Sequence, residues 1–298
     1  MVLKKLTETI LSDKCINSPD VIIVYTLPKV GQSTMFLSCK QAFPDIPCFR
    51  TQNILKKKAA MDLLSKSSTR NIAVITGVRE PVSWALSITA QGIHEERPNL
   101  ISDFNLGKIS AREAVQIVRE FIQTRGLFEH YETWFAQQAS KFTGIDILSA
   151  QFDHPRKRII IANDQQAPQY RILGFRYEDT QSWPDILAEF MGFEQIPIKV
   201  GNVALFKEYS LFYYEAVMGI SYPMDMLNKL YSSKIIRTFY NDREIKGFKT
   251  RWSKPMPDCY SFYIRDFMKK LTGSDFEYIR NAYERGGSKQ YQKPSLDS

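Results

Sequence analysis

The sequence predicts an α/β protein with a central, mostly parallel sheet and a helical C-terminal part. Two runs rich in β-branched residues, Val21–Leu27 and Asn71–Val78, are mostly apolar rather than alternating, as strands covered on both faces are. Residues with helical apolar spacing lie between them and complete a β-α-β pattern. Beyond Gly201-Asn202 the apolar residues fall into helical stripes. At 298 residues, with 44% hydrophobic and 13% aromatic content, the chain can fill one sizeable core, and no internal repeat divides it. One domain is expected over 1–285, with a polar, disordered tail at 286–298.

Residues 1–18 have the pattern of a short amphipathic helix and turn, and Pro19 precedes the first strand. A helix over 33–42 follows that strand, Pro44 and Pro47 break it, and Ile46–Phe49 suits a short strand. Lys56–Lys66 carries Ala59, Ala60, Leu63 and Leu64 at helical spacing. After the strand at 71–78, Pro81 suits the first turn of a helix that sets Ser83 and Ser87 four apart on one face.

Residues 95–110, with Pro98, Asn99, Asn105 and Gly107, predict a polar loop suited to covering an acceptor site. Helices are expected over Ala114–Ile122 and Leu127–Lys141, the latter with core aromatics Tyr131, Trp134 and Phe135. Ile145–Leu148, Lys157–Asn163 and Tyr170–Asp179 read as strands, the last two as a hairpin whose second arm joins the main sheet. Glu178 and Asp179 then cap a helix over Trp183–Met191 or hold a basic residue of the site. Two helical stripes follow, Leu205–Ala216 and Leu227–Phe239, read as core, and two last helices are expected in 259–285.

The formal charge of +8 favours polyanionic ligands. Lys56-Lys57-Lys58 and Arg156-Lys157-Arg158 are too short for nucleic-acid arms, so no nucleic-acid partner is expected. Cys15, Cys39, Cys48 and Cys259 have no metal-ligand spacing and the chain has three histidines, so neither a disulfide framework nor a metal site is expected. The first twenty residues have no signal-like apolar run, and no run approaches the roughly 18 apolar residues of a membrane span. A cytoplasmic protein without stable membrane insertion is expected.

The chemistry concentrates in Pro28-Lys29-Val30-Gly31-Gln32-Ser33-Thr34. A strand running through a short loop into a helix N-terminus aims unpaired amides and the positive dipole end at one spot, to which Lys29 adds charge and Ser33 and Thr34 add hydroxyls. The lysine precedes the glycine, so this is not the GxxxxGK[ST] triphosphate loop. Arg79 follows the second long strand; in open α/β sheets ligands bind at the carboxyl ends of strands, so both segments can face one crevice if their strands are neighbours.

The order Pro-Lys-x-Gly-x-Ser-Thr resembles the 5′-phosphosulfate loop of sulfotransferases. Arg79-Glu80-Pro81 with Ser87 resembles their 3′-phosphate motif, and Arg176-Tyr177-Glu178-Asp179 resembles a late sheet strand of theirs. Together with Trp134-Phe135, Thr143-Gly144-Ile145-Asp146 and Ser233 to Phe239-Tyr240, these segments occur in the order seen in the capsular polysaccharide synthesis proteins, a bacterial sulfotransferase-like family, over about residues 20–255. The resemblance implies a P-loop-like three-layer α/β sandwich. It implies transfer of a sulfuryl group from 3′-phosphoadenosine 5′-phosphosulfate, without metal, to a hydroxyl of a glycan or other small acceptor. The chain departs from the family at Pro28, where glycine is common, at Gln32, where a small serine is, and at Pro47–Gln52, where a histidine-containing segment is expected.

On that resemblance, Lys29 stabilises the leaving phosphate, and Lys29, Val30, Gly31, Gln32, Ser33 and Thr34 hold the 5′-phosphosulfate. Arg79 and Ser87 hold the 3′-phosphate, a fork-shaped guanidinium and a hydroxyl both suiting that task. For the base, His94, Glu95 and His130 are candidates, with His94 preferred for its place after the 3′-phosphate helix. Two rivals stand beside this reading: a nucleotide-sugar glycosyltransferase, for which no Asp-x-Asp pair is present, and a catalytically degenerate nucleotide- or glycan-binding protein.

Overall fold

The computed structural model describes residues 18–54, 58–65, 71–162, 164–199 and 207–256. The segments expected at 1–17, at Leu205 and Phe206, in 259–285 and in the 286–298 tail lie outside the described residues. The two mostly apolar runs form strands β1 (Val21–Tyr25) and β3 (Ile72–Val78), every residue of both buried. With β2 (Cys48–Thr51), β4 (Arg158–Ile161) and β5 (Tyr170–Arg176) they make a five-stranded sheet of order β2-β1-β3-β5-β4. Only β4 runs antiparallel, as the far arm of the expected hairpin, while β5 joins β3 in parallel with Val78 opposite Arg176.

The period of two along a strand sorts side chains to opposite faces, and the two faces carry separate cores. Val21, Ile23, Tyr25, Ile72 and Val74 face one, and Ile22, Val24, Ala73, Ile75, Leu173 and Phe175 face the other. Met35 and Cys39 of helix α1 (Gln32–Ala42) belong to the second core, with Ile186, Leu187 and Phe190 of α7 (Trp183–Met191). The first core receives α3 (Pro81–Glu96), α5 (Ala111–Thr124), α6 (Leu127–Trp134, continued by a π-helical turn Phe135–Ser140) and the C-terminal helices α8 (Ser210–Gly219), α9 (Met224–Tyr231), α10 (Lys234–Phe239) and α11 (Asp242–Trp252). Helices on both faces of one sheet are compatible with the three-layer α/β sandwich. No helix among the described residues is long and apolar enough to cross a membrane.

Several elements differ from the sequence-based expectation. The segment 95–110 is not a loop: α4 (Pro98–Asn105) occupies it, burying Ile101 and Phe104 at helical spacing beneath its polar composition. The helix expected over Lys56–Lys66 is described as α2 (Lys58–Leu64), and Ile147–Ser149 is a single 3-10 turn capped by Asp146 rather than a strand. β5 stops at Arg176, since Tyr177–Ser182 winds into a 3-10 turn. Glu178 and Asp179 do not cap α7, whose N-cap Ser182 makes no side-chain cap bond. Asp179 instead holds Arg176 of the same motif, at 2.5 and 3.0 Å. The helix α11 was not foreseen, although Asn241 and Glu244 form a capping box at its start.

Because β2, β1, β3 and β5 run parallel, the segments after them emerge on one edge of the sheet. That edge gathers Arg50-Thr51, the loop Pro28–Gly31, Arg79 and Tyr177.

Candidate functional site

The loop is held open by its own backbone. Lys29 sits at φ 64° and Gly31 at φ 87°, both left-handed, and α1 starts at Gln32 with no side chain capping it. A lysine in that region costs on the order of 1 kcal/mol, and outliers of this kind cluster at ligand sites. The first-turn amides of α1 therefore point out of an uncapped, positive helix end. Gly31 is required twice over. Besides its φ, a Cβ there would stand 2.2 Å from Cη2 of the Trp183 ring. Gly31→Ala is expected to lower stability by about 2–4 kcal/mol, from left-handed strain plus overpacking; urea unfolding measures it, and a loss under about 0.5 kcal/mol would contradict it.

The indole of Trp84 on α3 donates to the carbonyl of Pro28 at 2.9 Å, fixing the start of the loop from the β3 side. Gln32 departs from its expected role: its side chain donates to the carbonyls of Thr51 (2.7 Å) and Val24 (3.4 Å), tying the loop to β2 and β1, which leaves its backbone amide for a ligand. Ser33 faces the β2 side, where its hydroxyl accepts from the exposed Arg50 at 2.8 Å. Val30 and Thr34 are buried and serve the loop through its backbone and packing.

Lys29 and Arg79 meet. The guanidinium of Arg79 donates to the carbonyl of Lys29 at 3.3 Å, to Ser83 Oγ at 3.3 Å and to the Tyr213 hydroxyl at 3.2 Å, and lies 4.3 Å from the centre of the Tyr177 ring. Burial disfavours its charge, but Tyr213, Tyr177 and Glu178 outweigh that and hold its pKa above the ordinary arginine value. Ser83 is thus the serine at Arg79; Ser87 lies one turn further along α3, buried, with no bond to Arg79.

The half-buried Lys29 ammonium donates to the Tyr209 hydroxyl at 3.4 Å. Desolvation first, then the charges of Lys207 and Arg79, lower its pKa to about 8, against an opposing pull from Glu95. A buried charge that must be kept is stabilised by an anion, so an anionic ligand should bind more weakly as pH rises through about 8. The same shift makes the ligand-free fold more stable as pH rises from about 8 towards the ordinary lysine value of 10.5, because there the unfolded chain holds the proton that the folded one has lost. Calorimetry of adenosine 3′,5′-bisphosphate across that range should show the decline in the wild type and a flat response in Lys29→Met.

Of the base candidates, His94 packs against Tyr209, the residue that bonds Lys29. Its ring lies 5.6 Å from that of Tyr209, its Nε2 3.7 Å from the carboxylate of Glu208, and its buried Nδ1 has no hydrogen-bond partner among the described residues. Glu95 is exposed and accepts from Gln91. His130 stacks on the Trp84 ring at 6.3 Å, the indole that bonds the Pro28 carbonyl.

Behind Arg79, Glu80 occupies the N-terminus of α3. Its carboxylate accepts from the amides of Val82 (2.9 Å) and Ser83 (2.8 Å) and from the Tyr231 hydroxyl. Glu178, exposed as a residue, turns its carboxylate inward to accept from the Glu80 amide and the Tyr240 hydroxyl, both at 2.8 Å. The Tyr131 hydroxyl donates to the Arg79 carbonyl at 2.7 Å. These bonds fix the Arg79 backbone and leave its side chain to the crevice.

No protein-family model matches this chain, and no curated protein and no solved structure matches it significantly.

The residues that sequence reasoning missed are Tyr209, Tyr213 and Arg50, and of the two serines it set on one face of α3 it is Ser83, not Ser87, that meets Arg79. Tyr209 and Tyr213 read as members of an apolar helical stripe, and only the packing of α8 across the sheet edge shows that their hydroxyls meet cations.

Proposed function

We propose that this chain is a sulfotransferase that moves a sulfuryl group from 3′-phosphoadenosine 5′-phosphosulfate to a glycan hydroxyl, in capsular or surface polysaccharide synthesis in the cytoplasm. In this reading it has the P-loop-like sulfotransferase fold and is related to the capsular polysaccharide synthesis proteins that its motifs resemble. The observation that carries the proposal is the 3.3 Å contact between the Arg79 guanidinium and the Lys29 carbonyl, which brings two cations from neighbouring parallel strands to one crevice. Two cations at one sheet edge suit a ligand that carries more than one phosphate.

The chain's residues divide the work as follows. The amides of Val30 to Thr34 and the Ser33 hydroxyl bind the 5′-phosphosulfate. Arg79, whose Nε is held by Ser83, binds the 3′-phosphate. The acceptor oxygen attacks sulfur in line, the bridging S–O bond breaks, and its electron pair stays on the 5′-phosphate oxygen, where the Lys29 ammonium offsets the developing charge. The acceptor proton goes to His94, whose link to Lys29 runs through Tyr209.

A second reading, a nucleotide- or glycan-binding protein without turnover, is favoured by two features: the Pro47–Gln52 segment has no histidine, and Gln32 is spent on Thr51. Transfer of labelled sulfate from the donor to a panel of glycans separates the two. Metal-independent transfer supports the enzyme, whereas tight nucleotide binding without transfer supports the binder. Preference for a sugar nucleotide with manganese would overturn both in favour of a glycosyltransferase.

A further inference from the structure

Helix α8 presents two tyrosines one helical turn apart, and each meets one of the two cations. Tyr209, its N-cap residue, accepts from Lys29 Nζ at 3.4 Å, and Tyr213 accepts from Arg79 Nη2 at 3.2 Å. Both are nearly buried, 5% and 8% exposed, so each phenol meets its cation beneath the outer surface rather than on it. A phenol that accepts from a cation still has its own proton to give. For Tyr213 no acceptor of that proton is found among the described residues. Ser83 Oγ lies on the same Nε–Nη2 edge of that guanidinium and is spent on the Glu80 carbonyl at 3.0 Å, so Tyr213 is the hydroxyl positioned to add to what Arg79 binds. The ring of Tyr213 is held by an edge contact with Tyr214, centroids 5.3 Å apart, which fixes the direction of the hydroxyl.

We infer that Tyr213 is a specificity-determining residue of the nucleotide site: with Arg79 it recognises the phosphate remote from the reacting end, while Tyr209 serves the end held by Lys29. This rests on the donor reading above. The site then selects nucleoside 3′,5′-bisphosphates over ordinary 5′-mononucleotides through α8 as well as through the sheet edge. A ligand without the second phosphate leaves the Tyr213 proton unused and gains nothing from it.

The test is calorimetric titration of the full chain and of its Tyr213→Phe and Tyr209→Phe variants with adenosine 3′,5′-bisphosphate and with adenosine 5′-monophosphate. Phenylalanine keeps the ring packing and removes the hydroxyl alone. Tyr213→Phe is expected to weaken the bisphosphate about tenfold and leave the monophosphate unchanged, as for loss of one bond to a charged group. Tyr209→Phe should weaken both. Equal weakening of both ligands in Tyr213→Phe, or of neither, overturns the inference while the donor reading stands. A wild type that binds neither ligand overturns the donor reading and this inference with it.

Discussion

Lys29→Ala is expected to lower turnover by about 10²–10⁴-fold with the fold intact, the range typical of removing one group that stabilises charge developing in a transition state. Two features of the residue argue for so large an effect on chemistry and so small a one on folding. Its ammonium is desolvated to a pKa of about 8 and bonds a neutral phenol, so in the absence of ligand the charge is a cost to the fold. Its backbone is left-handed, which alanine tolerates no worse than lysine does. Steady-state sulfate transfer and thermal melting check the two halves. Undiminished turnover in Lys29→Ala would remove the residue from the mechanism, and a collapse in melting temperature would make it structural.

Arg176→Ala is expected to cost about 3–5 kcal/mol of stability, since it leaves two carboxylates without the charge they were folded around. Arg176 is 1% exposed at the end of β5. It bonds both oxygens of Asp179, donates to Glu244 at 2.8 Å and to the Phe239 carbonyl at 3.1 Å, and lies between the rings of Phe152 (4.7 Å) and Tyr240 (5.2 Å). One side chain thus ties the sheet to α10 and α11. Urea unfolding gives the loss directly. A change below about 1 kcal/mol, in the range of an exposed ion pair, would mean that the network is solvated.

The legible parts of the sequence were the local ones. Val21–Tyr25 and Ile72–Val78 declare themselves by runs rich in β-branched residues, Pro81 marks the first turn of α3, and Lys29 and Arg79 stand at strand ends where the chain turns. What sequence hides is what a side chain finds after packing. Gln32 looks like a ligand residue until Thr51 takes its amide, and Glu178 looks like a cap until the Glu80 amide and Tyr240 claim its carboxylate. Segment 98–105 reads as loop because its polar residues outnumber the two, Ile101 and Phe104, that anchor it. Helix α11 is the opposite case: Asn241 and Glu244, three residues apart, are a local signal for its start, in a capping box.

A crystal structure of the chain with adenosine 3′,5′-bisphosphate tests the central claim most directly. The account predicts the 5′-phosphate against the amides of Val30 to Thr34 and Lys29, and the 3′-phosphate on Arg79 and Tyr213. A nucleotide bound elsewhere on the sheet edge, or with its 3′-phosphate in solvent away from Arg79, would contradict it.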